Sequence, residues 1–368
     1  MKILFTGGGT CGHLTPAIAM ADAVKENDEG SKILFIGRRG GDENRLILSA
    51  GYELKEVDIR GLDRESPVKR ITDSIRSCRA VLEAGKIIRA FRPDITVGTG
   101  GYASFPALAY STLSRIPTVI HESNAYPGLV TRLFAKKARL VLLGLEGARE
   151  HLSEKAKVRV VGNPIRGDLE KLDRSEARAS LGALGKTVIL SVGGSGGAKR
   201  INDAAIGLMK GYTANKRSIL HIHVTGRGYY ESVIKNEADL IKSAPNLKVL
   251  PFIEDMPRYL CAADIVISRS GAMTVSELLH VGCPAILIPS PNVTDDHQMK
   301  NALEAKRIGD AVVIPETELT DMRLIYEVDR LVRDKGLREA IRDKANAAYH
   351  SPSGAELFKI LSECIGTR

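Results

Sequence analysis

The sequence contains no tryptophan, and aromatic residues make up only 5% of its 368 positions. Platforms for stacking nucleic-acid bases are therefore scarce, and no nucleic-acid partner is expected. The five cysteines, Cys11, Cys78, Cys261, Cys283 and Cys364, are odd in number and include no Cys-x-x-Cys pair. That pattern argues against a disulfide framework and a zinc knuckle, and a reducing, cytoplasmic setting is expected. No Asp-x-Asp triplet occurs, and neither glycine-rich turn carries the lysine of a Walker loop or the spacing of a serine-hydrolase elbow. Charge is missing from residues 95–114, a run about as long as a membrane span. Gly98, Gly100, Gly101 and Pro106 interrupt it, so a loop leading into a buried helix is expected instead. The chain enters a strand directly at Lys2 to Phe5, so no signal peptide is expected.

What is present is a two-part α/β pattern. A length of 368 residues exceeds what one core usually organises. Short β-branched runs alternate with helical stretches: Ile3 to Thr6, Lys32 to Ile36, Glu53 to Asp58, Asp94 to Val97, Thr118 to Ile120, Leu140 to Leu143 and Arg159 to Val161. After Gly162-Asn163-Pro164 the pattern restarts at Thr187 to Val192, Ser218 to Val224, Lys248 to Leu250, Ile265 to Ser268, Ala285 to Ile288 and Ala311 to Ile314. This predicts two Rossmann-like domains with parallel sheets, over residues 1–163 and 164–336, facing across a cleft. Residues 337–368 read as charged helices that pack back on the first domain.

Each half opens with a strand running into glycines. Gly7, Gly9 and Gly12 spell G-x-G-x-x-G, where bare amides and a helix start favour a diphosphate. The acidic residue that would hold an adenosine ribose is missing after the second strand, where Arg38 and Arg39 stand instead, so NAD is disfavoured and NADP stays open. His13 and Pro16 follow at the helix entrance. In the second half, Ser268 to Glu277 joins a strand to a helix through small residues. Amides near Gly271 to Thr274 can hold a diphosphate, and Glu277, a turn further in, can accept hydrogen bonds from two ribose hydroxyls. Thr274 with Glu277 can equally form a capping box. Asp295 to Asn301 offers groups for sugar hydroxyls or a metal; the lone His297 beside two carboxylates lacks partners for a closed zinc site, and no metal is expected.

Taken together, the motifs resemble the MurG-type enzymes of glycosyltransferase family 28. The resemblance rests on Gly7 to Pro16 (GGGTCGHLTP), Gly98 to Ser104 (GTGGYAS), His121-Glu122-Ser123-Asn124, Gly162 to Arg166 (GNPIR), Gly193 to Ala198 (GGSGGA) and Arg269 to Glu277 (RSGAMTVSE), in family order. Cys11 stands where many members carry glycine. The resemblance implies the glycosyltransferase-B fold and an inverting transfer of N-acetylglucosamine from UDP-N-acetylglucosamine to the 4-hydroxyl of undecaprenyl-diphosphate-linked N-acetylmuramoyl-pentapeptide, a step of peptidoglycan synthesis. Related transferases that decorate diacylglycerol share the fold and part of the second-domain signature. By motif, Arg166, Ser195, Ile253, Ala272, Met273, Thr274, Val275, Ser276, Glu277 and Gln298 resemble the donor site, with Ile253 meeting uracil through its backbone and Asn301 reaching the sugar. Thr10, Cys11, Gly12 and Asn124 match positions lining the cleft, and His13 matches the histidine placed near the acceptor. No cofactor is implied.

A lipid-linked acceptor implies a peripheral enzyme on the cytoplasmic face of the membrane, docked on an anionic surface. Residues 60–92 carry nine basic side chains against four acidic ones, within a total net charge of +9. Their helix sets Val68, Ile71, Ile75, Cys78 and Leu82 on one stripe, expected to be core, with Val81 and Ile88 elsewhere as the membrane-facing candidates.

Overall fold

The computed structural model describes residues 1–9, 11–61, 67–165, 169, 171–194 and 196–366, without the side chains of 11, 67–72 and 74. The chain divides into two compact units, one of residues 1–165 with 351–368, the other of residues 166–350.

In the first unit, seven strands form one sheet in the order β3-β2-β1-β4-β5-β6-β7. They are β1 (Lys2–Thr6), β2 (Lys32–Arg38), β3 (Glu53–Val57), β4 (Ile95–Gly98), β5 (Thr118–Glu122), β6 (Leu140–Leu143) and β7 (Val158–Val160). Every pairing is parallel. Parallel strands need crossovers that cover both faces, which is why these strands read as apolar runs. Along β1, Ile3 and Phe5 face the helix Cys11–Asn27 through Leu14, Ala17, Met20 and Val24. Leu4 points the other way, into a layer with Leu34, Ile36, Ala80, Ala84 and Ile88.

The second unit repeats the plan with six parallel strands in the order β10-β9-β8-β11-β12-β13. They are β8 (Thr187–Val192), β9 (Ile219–Val224), β10 (Leu247–Leu250), β11 (Ile265–Ser268), β12 (Ala285–Leu287) and β13 (Val312–Val313). Ile189, Ile265, Ile267 and Ile286 pack against Leu324, Val328 and Leu331 of the helix Asp321–Arg333.

Strand order reverses beside β1 in one sheet and beside β8 in the other. Such a reversal opens a crevice at the carboxyl ends of the two strands that flank it, β1 and β4 in the first unit, β8 and β11 in the second. The four segments leaving those ends are 7–9, 99–101, 193–197 and 269–271, all glycine-bearing.

The last helices go to different units. Lys335–Ala348 stays in the second, with Ile341 and Ala345 buried. Gly354–Gly366 lies in the first unit and lays Leu357, Ile360, Leu361 and Cys364 on the core under the helix Cys11–Asn27. The uncharged run 95–114 becomes β4, a glycine turn and the helix Phe105–Leu113, and among the described residues no helix is long and apolar enough to cross a membrane.

The helix Pro67–Phe91 corrects one expectation. Its inward face carries Ala80, Ala84 and Ile88, all within 1% of complete burial, while Ile75 and Leu82 of the expected core stripe are 52% and 66% exposed. Cys78 is exposed as well. Val68 and Ile71 have no described side chains. The physical reason is close helix packing: a Cβ at Gly85 would collide with the Tyr110 ring of the helix Phe105–Leu113. Small residues belong on such a face, which leaves the large aliphatics outside. Ile88→Ala should therefore cost about 2–5 kcal/mol of stability, and Leu82→Ala less than about 0.5 kcal/mol. Urea unfolding checks this; equal costs would reverse the assignment of faces.

Candidate functional site

In the first unit the glycine turn packs closely against its neighbours. Gly8 and Gly9 have φ of 136° and 91°, which L side chains rarely adopt. A Cβ on Gly7 would collide with Thr99 Oγ1, and one on Gly9 would stand 2.9 Å from the Tyr102 ring. The amide of Gly9 donates to Glu43 Oε1 at 2.9 Å, and Arg38 Nη2 donates to Glu43 Oε2 at 3.3 Å. Burial alone would push the Glu43 carboxyl up; the bonds from Arg38 and from backbone amides including Gly9 outweigh it and hold the group below its ordinary range. Arg39 pairs with Glu83. Both arginines that kept an NADP reading open thus already face carboxylates.

His13 sits half-buried in the first turn of the helix Cys11–Asn27. Its ring lies against Gly100 and Gly101 (φ of 91° and 73°), where added Cβ atoms would approach to 3.1 Å from Nδ1 and 3.0 Å from Cδ2. A Cβ on Gly101 would also collide with the Gly8 carbonyl, so the two glycine segments meet backbone to backbone. Nearby His121 is fully buried, and burial lowers its pKa to about 4 against the opposing pull of the adjacent Glu122 carboxylate.

The loop after β5 folds around one acid. Glu122, 1% exposed, accepts from Asn124 N and Nδ2 through Oε1, and from Gly128 N and Thr131 Oγ1 through Oε2. Four donors satisfy the buried carboxylate and present Asn124 at the half-buried edge. Asn163 Nδ2 donates to Ser123 O, and Ser351 Oγ donates to Asn163 O, so both segments at the unit's boundary are tied to this loop's side of the sheet.

In the second unit, β11 ends at Ser268 and the helix Ala272–His280 starts after Gly271. Gly271 is extended (φ −62°, ψ 144°) and has no side chain to cap the helix. A helix start leaves its first amides without intrahelical acceptors, and Gly271 supplies no side chain to meet them. Thr274 lies within the first turn rather than at the N-cap, so the capping-box reading of Thr274 with Glu277 does not apply. Val275 and Ser276 are fully buried, whereas Ala272, Met273, Thr274 and Glu277 stay partly exposed. Met273 and Thr274 lie four and three residues before Glu277, which puts each of them on the same side of the helix as that carboxylate.

Buried polar groups brace this turn from below. Ser270 Oγ donates to Gln298 O at 2.7 Å, and Asn301 Nδ2 donates to Ser270 O at 3.2 Å. Asn301 is fully buried, so the structure places it beneath the turn that it was expected to join at the sugar. Gln298 Oε1 accepts from Ser290 N. Asp295 and Asp296 adopt φ of 54° and 52° and start the helix that carries Gln298 and Asn301. Among the described residues no cluster of three or more His, Cys, Asp or Glu is arranged for a metal.

Beside this turn, the loop after β8 is packed on one side and open on the other. Gly197 presses on Gly226 and the Thr225 carbonyl, while added Cβ atoms at Gly194 and Gly196 would meet no described atom within 4 Å. Ile253 is buried, and the neighbouring Phe252 ring lies under the Arg227 guanidinium at 4.8 Å. Thr10, Arg166 and Ser195 lie outside the described residues, as does the Cys11 side chain. Sequence reasoning missed the structural roles of Glu43 and Glu122, whose partners lie 34 and up to nine positions away. A lone acid in a loop carries no local signal of that kind.

Residues 3–143 match the glycosyltransferase family 28 N-terminal domain, and residues 188–358 match the family's C-terminal domain. A UDP-N-acetylglucosamine--N-acetylmuramyl-(pentapeptide) pyrophosphoryl-undecaprenol N-acetylglucosamine transferase of Halothermothrix orenii is 38% identical over 340 residues, 91% of each chain. A transferase of the same name from Thermoanaerobacter pseudethanolicus is 35% identical over 363 residues, 98% of this chain and 99% of its own. The chain belongs to glycosyltransferase family 28. Its two units correspond to the family's two domains, and each domain match contains one strand-order reversal with its glycine turns. The crystal structure of Acinetobacter baumannii MurG superposes with a TM-score of 0.77 at 26% identity, covering 98% of this chain and 99% of that one. The family assignment makes the chain a glycosyltransferase of the glycosyltransferase-B fold.

Proposed function

We propose that this glycosyltransferase moves N-acetylglucosamine from UDP-N-acetylglucosamine to the 4-hydroxyl of undecaprenyl-diphosphate-linked N-acetylmuramoyl-pentapeptide, at the cytoplasmic face of the membrane. The observation that carries this reading is 35–38% identity, over 91–98% of the chain, with transferases whose name specifies that donor and acceptor. The uncapped helix start at Ala272 to Thr274 supports the donor half: it offers amides for the diphosphate, with Glu277 within reach of the ribose hydroxyls. Ile253, Gln298 and, by motif, Arg166 and Ser195 complete the donor set. By motif, Thr10, Cys11, Gly12 and Asn124 of the first unit also belong to the donor-binding set.

The reaction is a single displacement. The acceptor 4-oxygen forms a bond to the anomeric carbon from the face opposite the diphosphate, the bond from that carbon to the diphosphate oxygen breaks, and UDP leaves with the electron pair. His13 takes the hydroxyl proton; its unperturbed pKa range suits a base near neutral pH. The helix-start amides and Arg166 stabilise the charge that grows on the leaving diphosphate, so no metal is assigned a part.

Purified protein given labelled UDP-N-acetylglucosamine and a muramoyl-pentapeptide diphosphate lipid should yield labelled disaccharide lipid with EDTA present. His13→Ala should lower kcat by about 10²–10⁴ with little change in donor KM, while Glu277→Ala should mainly raise donor KM. The opposite pattern would overturn both roles.

Docking on an anionic membrane is the second part of the proposal. The outward face of the helix Pro67–Phe91 sets Ile75, Cys78 and Leu82 beside the exposed Arg79, Lys86 and Arg89. Aliphatic side chains can enter the interface while each nearby cation adds roughly 1 kcal/mol on an anionic leaflet. Sedimentation with anionic vesicles should show binding that falls with added salt and with Leu82→Glu. Binding indifferent to salt, or none, would remove this surface from the account.

A further inference from the structure

Glu43 takes no part in the transfer described above, yet it holds the turn from which the His13 helix departs. It is 7% exposed, in the loop between β2 and the helix Asn44–Ser49. Burying a carboxylate costs several kcal/mol unless its oxygens are matched. Here Oε2 is matched by Arg38 at 3.3 Å and Oε1 by the Gly9 amide at 2.9 Å. That amide belongs to the G-x-G-x-x-G turn, where a dinucleotide fold would give it to a pyrophosphate. In this chain a side chain takes it.

The consequence runs along a continuous line of contact. Gly9 is held by Glu43 and hemmed by Tyr102. The carbonyl of Gly8, the residue before it, lies hard against Gly101, and Gly101 with Gly100 forms the surface on which the His13 imidazole rests. At φ of 136° and 91°, Gly8 and Gly9 have many other conformations open to them, so the turn needs an external tie to stay in this one. We propose that Glu43 is the positioning residue for His13: by holding the Gly9 amide it fixes the turn that sets where the imidazole lies. The proposal rests on the reading of His13 as the proton acceptor.

Geometry and charge separate in two conservative variants. Glu43→Gln keeps an acceptor oxygen at the same reach and loses the charge; Glu43→Asp keeps the charge and loses the reach. In steady-state assays of the full chain, Glu43→Ala and Glu43→Asp should lower kcat about 10- to 100-fold, the cost of misplacing a reacting group by about 1 Å. Donor KM should change much less than kcat, because the amides of Ala272 to Thr274 and the Glu277 carboxylate lie on the other unit. Glu43→Gln should recover most of kcat. In a His13→Ala background, Glu43→Asp should cost less than about threefold more, since the loss it causes has already occurred. If Glu43→Ala does not fold, the Gln and Asp pair carries the test alone. Gln as poor as Asp, or losses that multiply in the double variant while His13→Ala alone is severe, would overturn the role of Glu43 and leave that of His13 standing. A His13→Ala enzyme with near-normal kcat would sink both.

Discussion

The amides at the start of a helix need an acceptor, and what supplies it differs between the two halves of this protein. Both sheets reverse strand order beside their first strand, and both send glycine-bearing segments from the carboxyl ends that flank the reversal. In the first unit the Gly9 amide is already met by Glu43. In the second, the helix Ala272–His280 begins after a glycine that offers no side chain. On the proposed reading, the second half holds the nucleotide diphosphate and the first presents His13.

Buried acids do the organising around that division. Glu43 fixes a turn, and Glu122 gathers four donors to shape the loop that presents Asn124. In the second unit neutral groups serve the same end: Ser270 and Asn301, both fully buried, tie the helix-start turn to the helix His297–Gly309. Rigid support of this kind is what lets amides stabilise a leaving group without rearranging as charge develops.

Much of this was legible in the sequence. All thirteen strands lie within about two residues of the runs read from β-branched periodicity, and the glycine turns sit where those runs end. The helix Pro67–Phe91 was misread because its core face uses Ala80 and Ala84, with Gly85 giving way to Tyr110, while Ile75 and Leu82 carry the stronger apolar pattern on the outside. Hydropathy marks large side chains, and a tightly packed helix pair selects small ones. The polarity of Asn301 is visible in the sequence, whereas its burial beneath Ser270 is not. Glu43 and Glu122 could not be singled out, since the amides they hold become their partners only after the chain folds.

The central claim concerns where the nucleotide goes, and a crystal structure of the protein with UDP tests it most directly. The account predicts the diphosphate within hydrogen-bonding distance of the amides of Ala272 to Thr274, with the Glu277 carboxylate on the ribose. UDP lodged on the Gly7 to Gly12 turn, with the helix start after Gly271 empty, would contradict it.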